Sequence, residues 1–419
     1  METTIQQADM NMQHRVFNAW VKEHIYPEGT HIRHLEDRLE VQYKGQLLSV
    51  KITDRGAFER YKMAGQIQYQ VGNQTTPIAS LEALVEILET HFDTPFPERL
   101  KQELIHSRRG FDLTYAQMEQ RRNLIQDSMK FSRMPVSLNY FAWMSHMTAL
   151  GEMDDLLYSE SLVAEGHPTH PLSKTKLPLT NEEVQRYAPE FEQIIPLKVM
   201  LLKKADAVTT SASHDQDFML NEVLKHHKQQ LKDYAKALGY NIDDFEVVIV
   251  HPWQYEHVIV EQFKSWMIEQ RLIPTPVTLK SKATLSFRTL ALLDDPFHIK
   301  LPVQVQATSA VRTVSSVTTV DGPKLSYELQ DMLDVYPQLK VAKEPFGLHA
   351  ETEPDEARQL AYIVREKPEL DGEGVTVVTA SLVNSNPVDN KKIAESYLEW
   401  VDNEVTPCLL YTSPSPRDR

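Results

Sequence analysis

The sequence TPVTLKSKATLSFRTLAL, residues 275–292, alternates apolar and polar side chains as a half-buried β-strand does. Two more β-rich runs follow it: HIKLPVQVQATSAVRTVSSVTTV at 298–320 and VTVVTASLVN at 375–384. The turn-forming residues VDGP, at 320–323, indicate a hairpin-like exit from the first of these two runs. Together the three runs predict a mainly antiparallel sheet.

Three runs that precede this sheet supply further strands and a flanking helix. IPLKVMLLKKADAVTT, at 195–210, is strand-like, and FEVVIVHPWQ, at 245–254, is a short apolar strand that ends in a turn. Between them, DQDFMLNEVLKHHKQQLKDYAKAL, at 215–238, has the period of one long amphipathic helix. We therefore expect a sheet flanked by helices.

The amino-terminal part has a different pattern. Residues 1–155 carry apolar side chains at helical spacing, Ser80 is placed to cap one of these helices, and a short alternating stretch predicts a small β insertion. The predicted fold class is α+β, with a helical domain at 1–155 followed by a sheet domain at 156–385. KKIAESYLEWVDNEV, at 391–405, predicts the first helix of another domain that begins at 386–407.

Composition excludes several classes of protein. The formal net charge of −15 gives no general attraction to nucleic acid or to an anionic membrane. There is no run of eighteen apolar residues and no secretory signal at the amino end, so we expect a cytoplasmic protein. The single cysteine, Cys408, excludes an intrachain disulfide and any zinc site built from several cysteines.

The last twelve residues, CLLYTSPSPRDR at 408–419, resemble one reading frame of a widely used sequencing adapter. We therefore expect a non-native tail at 408–419 and a carboxy-terminal domain that is largely missing. The alternative is an ordinary disordered tail rich in serine and proline. If the tail is non-native, Cys408 has no functional meaning.

EGHPTHPLSKTK, residues 165–176, holds two His-Pro pairs. Its prolines exclude a helix interior, so His167 and His170 cannot use the one-face spacing of a helical metal motif. A zinc site would need a third ligand such as His251 or Asp154, and no spacing specifies either of them. One alternative is a rigid turn in which backbone groups satisfy the histidines.

Two lysines, Lys174 and Lys176, follow the His-Pro pairs and favour a third interpretation. Cationic groups after a rigid loop are suited to the oxygen atoms of a phosphate or a carboxylate. The stretch therefore leaves metal, structural and anion-binding interpretations open.

Two further segments concentrate cationic and hydroxyl side chains. The period of two places Ser286 and Arg288, in LSFRTL, on one face of a strand, and it places Thr308 and Arg312, in QATSAVRTV, on one face of another. Lys300 stands between them, at the start of its own strand. A buried arginine needs an acidic partner or an anionic ligand, and a single one would more often form a structural salt bridge. Two arginines with a lysine and hydroxyls favour a polyphosphate site.

The segment HPWQ, His251–Gln254, repeats the His-Pro pair at the end of a strand. Its simplest interpretation is structural: the proline stops the strand, Trp253 packs, and His251 caps a turn. The sequence contains no glycine-rich phosphate loop, dinucleotide fingerprint, nucleophile elbow or H-E-x-x-H motif. An ATP-dependent protein of this sequence would have to hold phosphate with side chains on a sheet.

Taken in order, EGHPTHPLSKTK, VHPWQ, SFRTL, HIKL and ATSAVRT resemble the motifs of the NRPS-independent siderophore synthetases, the family of the aerobactin synthetases. The resemblance is clear over residues 150–325 and looser before them. It implies a fold of thumb, fingers and palm domains, with the thumb at 1–155, the fingers at 156–385 and the palm truncated. A homodimer is expected from the resemblance alone.

The resemblance also implies an activity. A carboxylic acid such as citrate is adenylated with ATP and Mg²⁺, and an amine or hydroxyl nucleophile then captures the acyl group. Nucleotide or substrate binding is implied for His170, Lys174, Ser286, Arg288, Lys300, Thr308, Ser309 and Arg312. Of these, Arg288, Lys300 and Arg312 are implied to be catalytic, and no metal-ligating residue is assigned.

The sequence departs from the family pattern at one place, since Lys176 and Pro178 stand where the family usually has arginine and then glycine. Two alternatives to the ligase remain. One is a metal-dependent hydrolase that uses the His-Pro loop, and the other is a binding or assembly fragment without catalytic competence.

Overall fold

The computed structural model describes residues 3–56, 60–131, 138–212, 217–333, 335–336, 341–367 and 374–401. The adapter-like tail at 408–419 and the last residues of 386–407 therefore lie outside the described residues. Contacts divide the chain into two compact units. Unit 1 comprises Met1–Val136, Ala164–Val184 and Gln306–Ser309, and unit 2 comprises Ser137–Val163, Gln185–Val305 and Ala310–Arg419. The domain ranges expected from the sequence stay a prediction.

Unit 1 combines helices with a small antiparallel sheet. Its elements are α1 (Thr4–Lys22), β1 (His31–His34), β2 (Arg38–Tyr43), β3 (Gln46–Gly56), β4 (Arg60–Val71), β5 (Gln74–Pro77), α2 (Leu81–His91), α3 (Glu98–Phe131) and β6 (Lys176–Leu177). The first five strands pair in sequence order. The expected β insertion is thus confirmed.

Local signals in the sequence explain where these helices begin. Thr3 and Gln6 form a reciprocal capping box before α1, and the Ser80 hydroxyl accepts a hydrogen bond from the Ala83 amide at 3.1 Å, as predicted for an N-cap. Met12 and Trp20 of α1 pack in one core with residues of the sheet, of α2 and of α3. Apolar burial on this scale is the main stabilising contribution to such a unit.

Unit 2 is built on a larger sheet. Two further helices lie in the first segment of unit 2, α4 (Tyr140–Ala149) and α5 (Asp155–Ser161), and the chain enters the unit's second segment through α6 (Asn181–Tyr187). The remaining strands are β7 (Ile195–Lys203), β8 (Ala207–Ser211), β9 (Phe245–Val250), β10 (Leu272–Ala283), β11 (Thr289–Leu292), β12 (Phe297–Lys300), β13 (Val303–Ala307), β14 (Ala310–Arg312), β15 (Phe346–Ala350) and β16 (Ala361–Glu366). The remaining helices are α7 (Lys228–Ala237), α8 (Pro252–Gln254), α9 (Val260–Gln262), α10 (Lys264–Ile268), α11 (Ser316–Leu333), α12 (Pro354–Ala357) and α13 (Ile393–Val401).

Eight of these strands form one sheet in the order β8-β15-β16-β12-β11-β10-β7-β9. Every neighbouring pair in it is antiparallel. The α+β class with a mainly antiparallel sheet is therefore confirmed. The helix predicted in 391–405 is also confirmed as α13, whose Trp400 stacks on Phe141 of α4 with ring centroids 5.1 Å apart.

Four predictions about individual elements were wrong. The run 215–238 is not one long helix, because a π-helical turn at Met219–Val223 is separated from α7 by a non-helical stretch. The run 195–210 is two strands, β7 and β8, with a 3₁₀ turn between them. The sequence VTVVTASLVN forms no ladder strand but a buried extended segment that leads into a 3₁₀ turn at Thr379–Ser381.

The fourth error concerns VDGP, which is not a hairpin exit but lies inside α11. Packing explains why turn-forming residues are tolerated there. A Cβ on Gly347 of β15 would come within 2.1 Å of the Thr319 carbonyl oxygen, so the helix lies directly on the sheet at a glycine. Burial of α11 against β15 outweighs the low helix propensity of Gly322 and Pro323.

No helix in the described part of the chain is both long enough and apolar enough to span a lipid bilayer.

Candidate functional site

Ser286 and Arg288 lie in the turn that joins β10 to β11, and the prediction that they share a strand face was wrong. The turn spans Thr284 to Arg288 and is closed by the Thr284 amide, which donates to the Thr289 carbonyl at 2.9 Å. The Ser286 hydroxyl oxygen accepts a hydrogen bond from the Thr289 amide at 3.2 Å. We call residues 284–288 the Ser-Phe-Arg turn.

The centre of this turn is Phe287, which has a left-handed backbone with φ of 65°. Such a conformation is strained for a bulky residue and persists only when surrounding contacts impose it. The Phe287 side chain is buried, and its ring centroid lies 6.5 Å from that of His251. His251 in turn packs edge-on against Tyr187 at 4.8 Å. These rings hold the turn in its unusual conformation.

The beginning of the turn is held by a carboxyl group. Glu160, at the end of α5, accepts a hydrogen bond from the Leu285 amide, and the Leu285 side chain packs on an apolar cluster that includes Leu156 of the same helix. Burial raises the pKa of Glu160 to about 7, although the bond from Leu285 acts in the opposite direction. The Glu160 Oε2 atom is inaccessible and has no hydrogen-bond partner among the described residues.

Lys300 is the last residue of β12, not the first residue of its strand as predicted. It lies opposite Thr289 of β11 on one side and Ile363 of β16 on the other. The next amide along the chain, that of Leu301, donates to the Arg288 carbonyl at 2.9 Å. Lys300 and the Ser-Phe-Arg turn therefore lie at the same end of neighbouring strands.

Arg312 reaches the same region through its own strand. The prediction that Thr308 and Arg312 share a strand face was wrong, because Thr308 and Ser309 form a turn between β13 and β14. Arg312 ends β14, and the next residue, Thr313, accepts a hydrogen bond from the Arg288 guanidinium group. Val314 then packs against Ile363, the residue opposite Lys300.

Unit 2 thus brings four of the predicted site residues to one end of its sheet: Ser286, Arg288, Lys300 and Arg312. Ser286 is exposed and the three cationic side chains are half-buried, so each can be reached from solvent. Two guanidinium groups and one ammonium group at such a place can bind several oxygen atoms of a phosphate or carboxylate at once. We call these four residues the cationic cluster.

The His-Pro pairs share one local structure. In each pair the ring Nδ1 atom accepts a hydrogen bond from the backbone amide two residues later: Thr169 for His167 at 3.3 Å, Leu172 for His170 at 3.0 Å, and Trp253 for His251 at 3.2 Å. Proline has no amide hydrogen, so the amide after it is the first one available to the ring. The rigid-turn interpretation of the histidines is therefore confirmed for this geometry.

This structure fixes the protonation of each ring. A backbone amide can only donate, so Nδ1 is the acceptor and Nε2 carries the hydrogen. Burial lowers the pKa of His251 to about 3 and also lowers the pKa of His170, to which the charges of His167 and Arg15 contribute. His170 and His251 are consequently neutral, and the Nε2–H group of the partly exposed His170 suits an anionic oxygen better than a metal ion, whereas Nε2 of His251 is fully buried.

The described residues do not support the metal interpretation of the His-Pro loop. Where the structure describes the chain, no group of three or more His, Cys, Asp or Glu side chains could hold a metal ion. Asp154, considered as a third ligand, instead caps α5 and forms an ion pair with Lys367 at 2.5 Å. The geometry therefore disfavours a hydrolase that uses a His-Pro metal site.

The other four predicted residues, His170, Lys174, Thr308 and Ser309, belong to unit 1. Lys174 is buried, and its amide donates to the hydroxyl of Ser107 in α3 at 3.3 Å. The Thr308 amide donates to the Thr175 carbonyl at 3.1 Å, next to Lys174 in the chain. Thr308 and the His-Pro loop are thus joined inside one unit.

Lys176, which stands where the family usually has arginine, is buried like Lys174, although slightly more exposed. It opens β6, which pairs with the end of β13. The peptide bond that follows β6, between Leu177 and Pro178, is cis, and Pro178 is the second position that departs from the family pattern. Both departures therefore lie in a short strand and its exit.

Sequence reasoning missed several residues that hold these two groups in place. Phe287, Glu160 and Tyr187 support the Ser-Phe-Arg turn, and Arg15 contacts the His-Pro loop from α1. Only Phe287 was visible inside a quoted motif, and phenylalanine is not a residue that predicts a left-handed turn. The other three come from distant parts of the chain, so no local signal could have identified them.

Comparison with known proteins shows which family the chain is similar to. Residues 155–384 match the IucA / IucC family. Staphyloferrin A synthase from Staphylococcus aureus (strain NCTC 8325 / PS 47) is 53% identical over 399 residues, which is 95% of this chain and 68% of that protein. D-ornithine--citrate ligase from the same strain is 29% identical over 377 residues, covering 84% of this chain and 55% of that protein.

Solved structures share the fold. Petrobactin biosynthesis protein AsbB from Bacillus anthracis str. Sterne superposes with a TM-score of 0.74 at 16% identity, covering 96% of this chain and 65% of that one. Aerobactin synthetase IucC from a hypervirulent pathotype of Klebsiella pneumoniae gives 0.74 at 18% identity, with coverage of 95% and 68%. The chain therefore spans between 55% and 68% of the length of these four proteins. On the match over 155–384 and the similarity to staphyloferrin A synthase, the chain belongs to the IucA / IucC family.

Proposed function

We propose that this chain is part of an ATP-dependent siderophore synthetase, which adenylates a carboxylic acid such as citrate and transfers the acyl group to an amine or hydroxyl nucleophile. The observation that carries the proposal is the cationic cluster at one end of the unit 2 sheet. Support also comes from the similar proteins, whose names include a siderophore synthase and a citrate ligase.

The chemistry of adenylation explains the composition of the cluster. Attack of a carboxylate on the α-phosphorus of ATP forms an acyl-adenylate and leaves pyrophosphate, on which negative charge accumulates. Cations that are already in place stabilise that charge as it develops. In this proposal Arg288, Lys300 and Arg312 contact the phosphates, and the hydroxyl of Ser286 donates to one of their oxygen atoms.

Further parts of the proposal follow from the family resemblance. Mg²⁺ would bind together with ATP and offset part of the negative charge of the phosphates, and no protein ligand for it is assigned. His170, Lys174, Thr308 and Ser309 would also be nucleotide- or substrate-binding residues, and the Nε2–H group of His170 suits a carboxylate oxygen. A cytoplasmic location, where ATP is available, and a homodimer complete the proposal.

The test uses the full coding sequence, with release of pyrophosphate as the measurement. We expect release that depends on ATP and on one acid among citrate, succinate and 2-oxoglutarate. A folded protein that releases no pyrophosphate with any of these acids would contradict the proposal. Calorimetric titration of the 419-residue chain with ATP then separates a competent phosphate site from a fragment that serves only in assembly.

A further inference from the structure

A buried arginine from the first helix lies against the His-Pro loop. Arg15 of α1 has a side chain that is only 7% exposed, and its Nη1 atom donates to the His167 carbonyl at 2.5 Å and to the His170 carbonyl at 3.3 Å. Its Nη2 atom also approaches the Glu165 carbonyl at 3.4 Å. One guanidinium group therefore contacts three backbone carbonyls of the loop.

The orientation of Arg15 is itself fixed by three partners. Its Nη2 atom forms an ion pair with the Glu165 carboxylate at 2.7 Å, and its Nε atom donates to the Asn11 side-chain oxygen at 2.6 Å. The plane of the guanidinium lies over the Phe111 ring, 4.8 Å from its centroid. A planar fork held this way can be placed much more accurately than a flexible ammonium group.

The Glu165 carboxylate is satisfied on both oxygen atoms. Oε2 accepts from Arg15 and from Asn11 at 3.0 Å, and Oε1 accepts from the Tyr115 hydroxyl at 2.8 Å. Burial would raise the pKa of Glu165, but the charge of Arg15 and the hydrogen bonds from Tyr115, Arg15 and Asn11 outweigh it and lower the pKa. The ion pair therefore stays charged, and Arg15 keeps its donors directed at the loop.

The two turns in which a histidine ring accepts a backbone amide depend on the carbonyls that Arg15 contacts. His167 and His170 accept amide hydrogen bonds through Nδ1 only while the peptide groups of the loop keep their orientation. The carbonyls of His167 and His170 lie in the peptide planes that enter Pro168 and Pro171. Because the proline ring fixes φ, only the proline ψ separates each held carbonyl from the Thr169 or Leu172 amide that donates to the ring. The direction of the His170 Nε2–H bond is thereby set from α1.

We propose that Arg15 is a positioning residue for the His-Pro loop, which it holds so that His170 presents a hydrogen-bond donor to an anionic oxygen of the substrates. The inference rests on the proposed function for the reaction it serves. The structural part of the inference is that Arg15 holds the turns at His167 and His170. This part can be measured without an activity assay.

The test compares Arg15→Lys with Arg108→Lys in the full-length protein. Lysine keeps the positive charge beside Glu165 but cannot fork to two carbonyls. Arg108 is a matched control in the same unit, since it forms ion pairs with Asp9 at 3.0 Å and Glu82 at 2.8 Å. The first measurement is the ring ¹⁵N spectrum of labelled histidine, which distinguishes the two neutral tautomers.

We expect His167 and His170 to show the Nε2–H tautomer in the wild type and an average of both tautomers in Arg15→Lys. His251 provides an internal control, because it forms the same turn in unit 2 and should keep its spectrum in every variant. Unchanged spectra of His167 and His170 in Arg15→Lys would overturn the inference, whatever the enzyme assay shows.

The second measurement is the kinetics of pyrophosphate release. We expect Arg15→Lys to raise the KM for the acid about tenfold with a smaller change in kcat, and Arg108→Lys to change neither. Altered ring spectra with an unchanged KM would overturn the claim that the loop is positioned for this reaction. If the wild type releases no pyrophosphate, the proposed function fails, while the ring spectra still decide the role of Arg15.

Discussion

The guanidinium group of Arg288 donates a hydrogen bond to the backbone carbonyl of Thr313, the residue that follows Arg312. This contact links the Ser-Phe-Arg turn to the strand that carries the second arginine. Arg288 therefore has two tasks in the proposed site, since it holds Arg312 near the end of the sheet and contacts phosphate itself.

The two arginines should respond differently to removal. We expect Arg312→Ala to lower ATP-dependent activity about 100-fold or more, as the loss of one preplaced cation does, with little change in thermal stability. Arg288→Ala should lower activity at least as much and also destabilise the fold by about 1–3 kcal/mol, because a charged hydrogen bond to a carbonyl is lost. Arg358→Ala, which removes an exposed ion pair with Asp355, serves as the control. Equal losses of stability and activity at Arg312 would instead indicate a structural salt bridge.

Gly110 of α3 should not tolerate a side chain. A Cβ at this position would lie 2.8 Å from the Lys174 Cβ and 2.9 Å from the Lys174 carbonyl oxygen, so the backbone of the His-Pro loop would have to move. We expect Gly110→Ala to lower the free energy of unfolding by about 1–3 kcal/mol.

The matched control is Gly322→Ala in α11. Its Cβ would press on Oε2 at the far end of the Glu344 side chain, which has to shift by a small rotation while Oε1 keeps its ion pair with Arg365, and it would touch no backbone atom. Alanine also favours a helix over glycine by about 0.5–1 kcal/mol. Chemical denaturation of both variants checks the comparison. Similar stabilities for the two would show that α3 does not approach the loop as closely as described.

His251 should make the protein less stable in mild acid. Its pKa is about 3 in the folded protein because the ring is buried, and about 6.5 when unfolded, so below pH 6.5 the unfolded state binds a proton that the folded state does not. The contribution of the neutral His251 ring to the free energy of unfolding is fully present above pH 6.5 and is lost as the pH falls toward 3, by about 1.4 kcal/mol per pH unit.

His251→Asn keeps an acceptor for the Trp253 amide but cannot titrate, so we expect a shallower loss of stability between about pH 6.5 and 4. Unfolding by urea at several pH values measures this slope. His226→Asn, at an exposed position, should leave the slope as it is. Parallel curves for His251→Asn and the wild type would show that the ring is not buried as a neutral group.

Glu160 should have the opposite dependence on pH. Its pKa rises from 4.5 to about 7 on folding because of burial, so the folded state keeps a proton that the unfolded state releases. Stability from this group is complete below pH 4.5 and is lost as the pH rises through 7.

Glu160→Gln retains an oxygen acceptor for the Leu285 amide and remains neutral. We expect the variant to be about 1–3 kcal/mol more stable than the wild type at pH 8 and nearly equal to it at pH 4. Glu261→Gln, on the surface, is the control for a simple change in net charge. A less stable variant at pH 8 would mean that the Glu160 carboxylate is ionised and paired.

The periodicity of the sequence predicted the antiparallel sheet, the helix that Ser80 caps and α13 correctly, because each element must place apolar residues on a buried face. It failed at the Ser-Phe-Arg turn for the same reason. Alternation continues through Leu285, Ser286 and Phe287 although the chain turns there, since the buried Phe287 packs on His251, which in turn packs on Tyr187, and not on a sheet. The residue types of the site were therefore recognised, while their placement on a strand face was wrong.

Contacts between distant parts of the chain lay outside what the sequence could reveal. Arg15 and Glu165 are 150 positions apart, and neither spacing nor composition connects them. The same holds for Gly322 and Pro323, whose turn propensity is overridden by packing of α11 on the sheet. Tertiary contacts decided these features, and local patterns do not contain them.

The most direct test of the cationic cluster is isotope exchange between pyrophosphate and ATP, measured with the full coding sequence. The account predicts exchange that requires a carboxylic acid but no nucleophile, and that falls about 100-fold or more in Arg312→Ala while the variant remains folded. Exchange that persists at the wild-type rate in Arg312→Ala, or that needs no acid, would contradict the claim that this cluster binds the phosphates of ATP during acid activation.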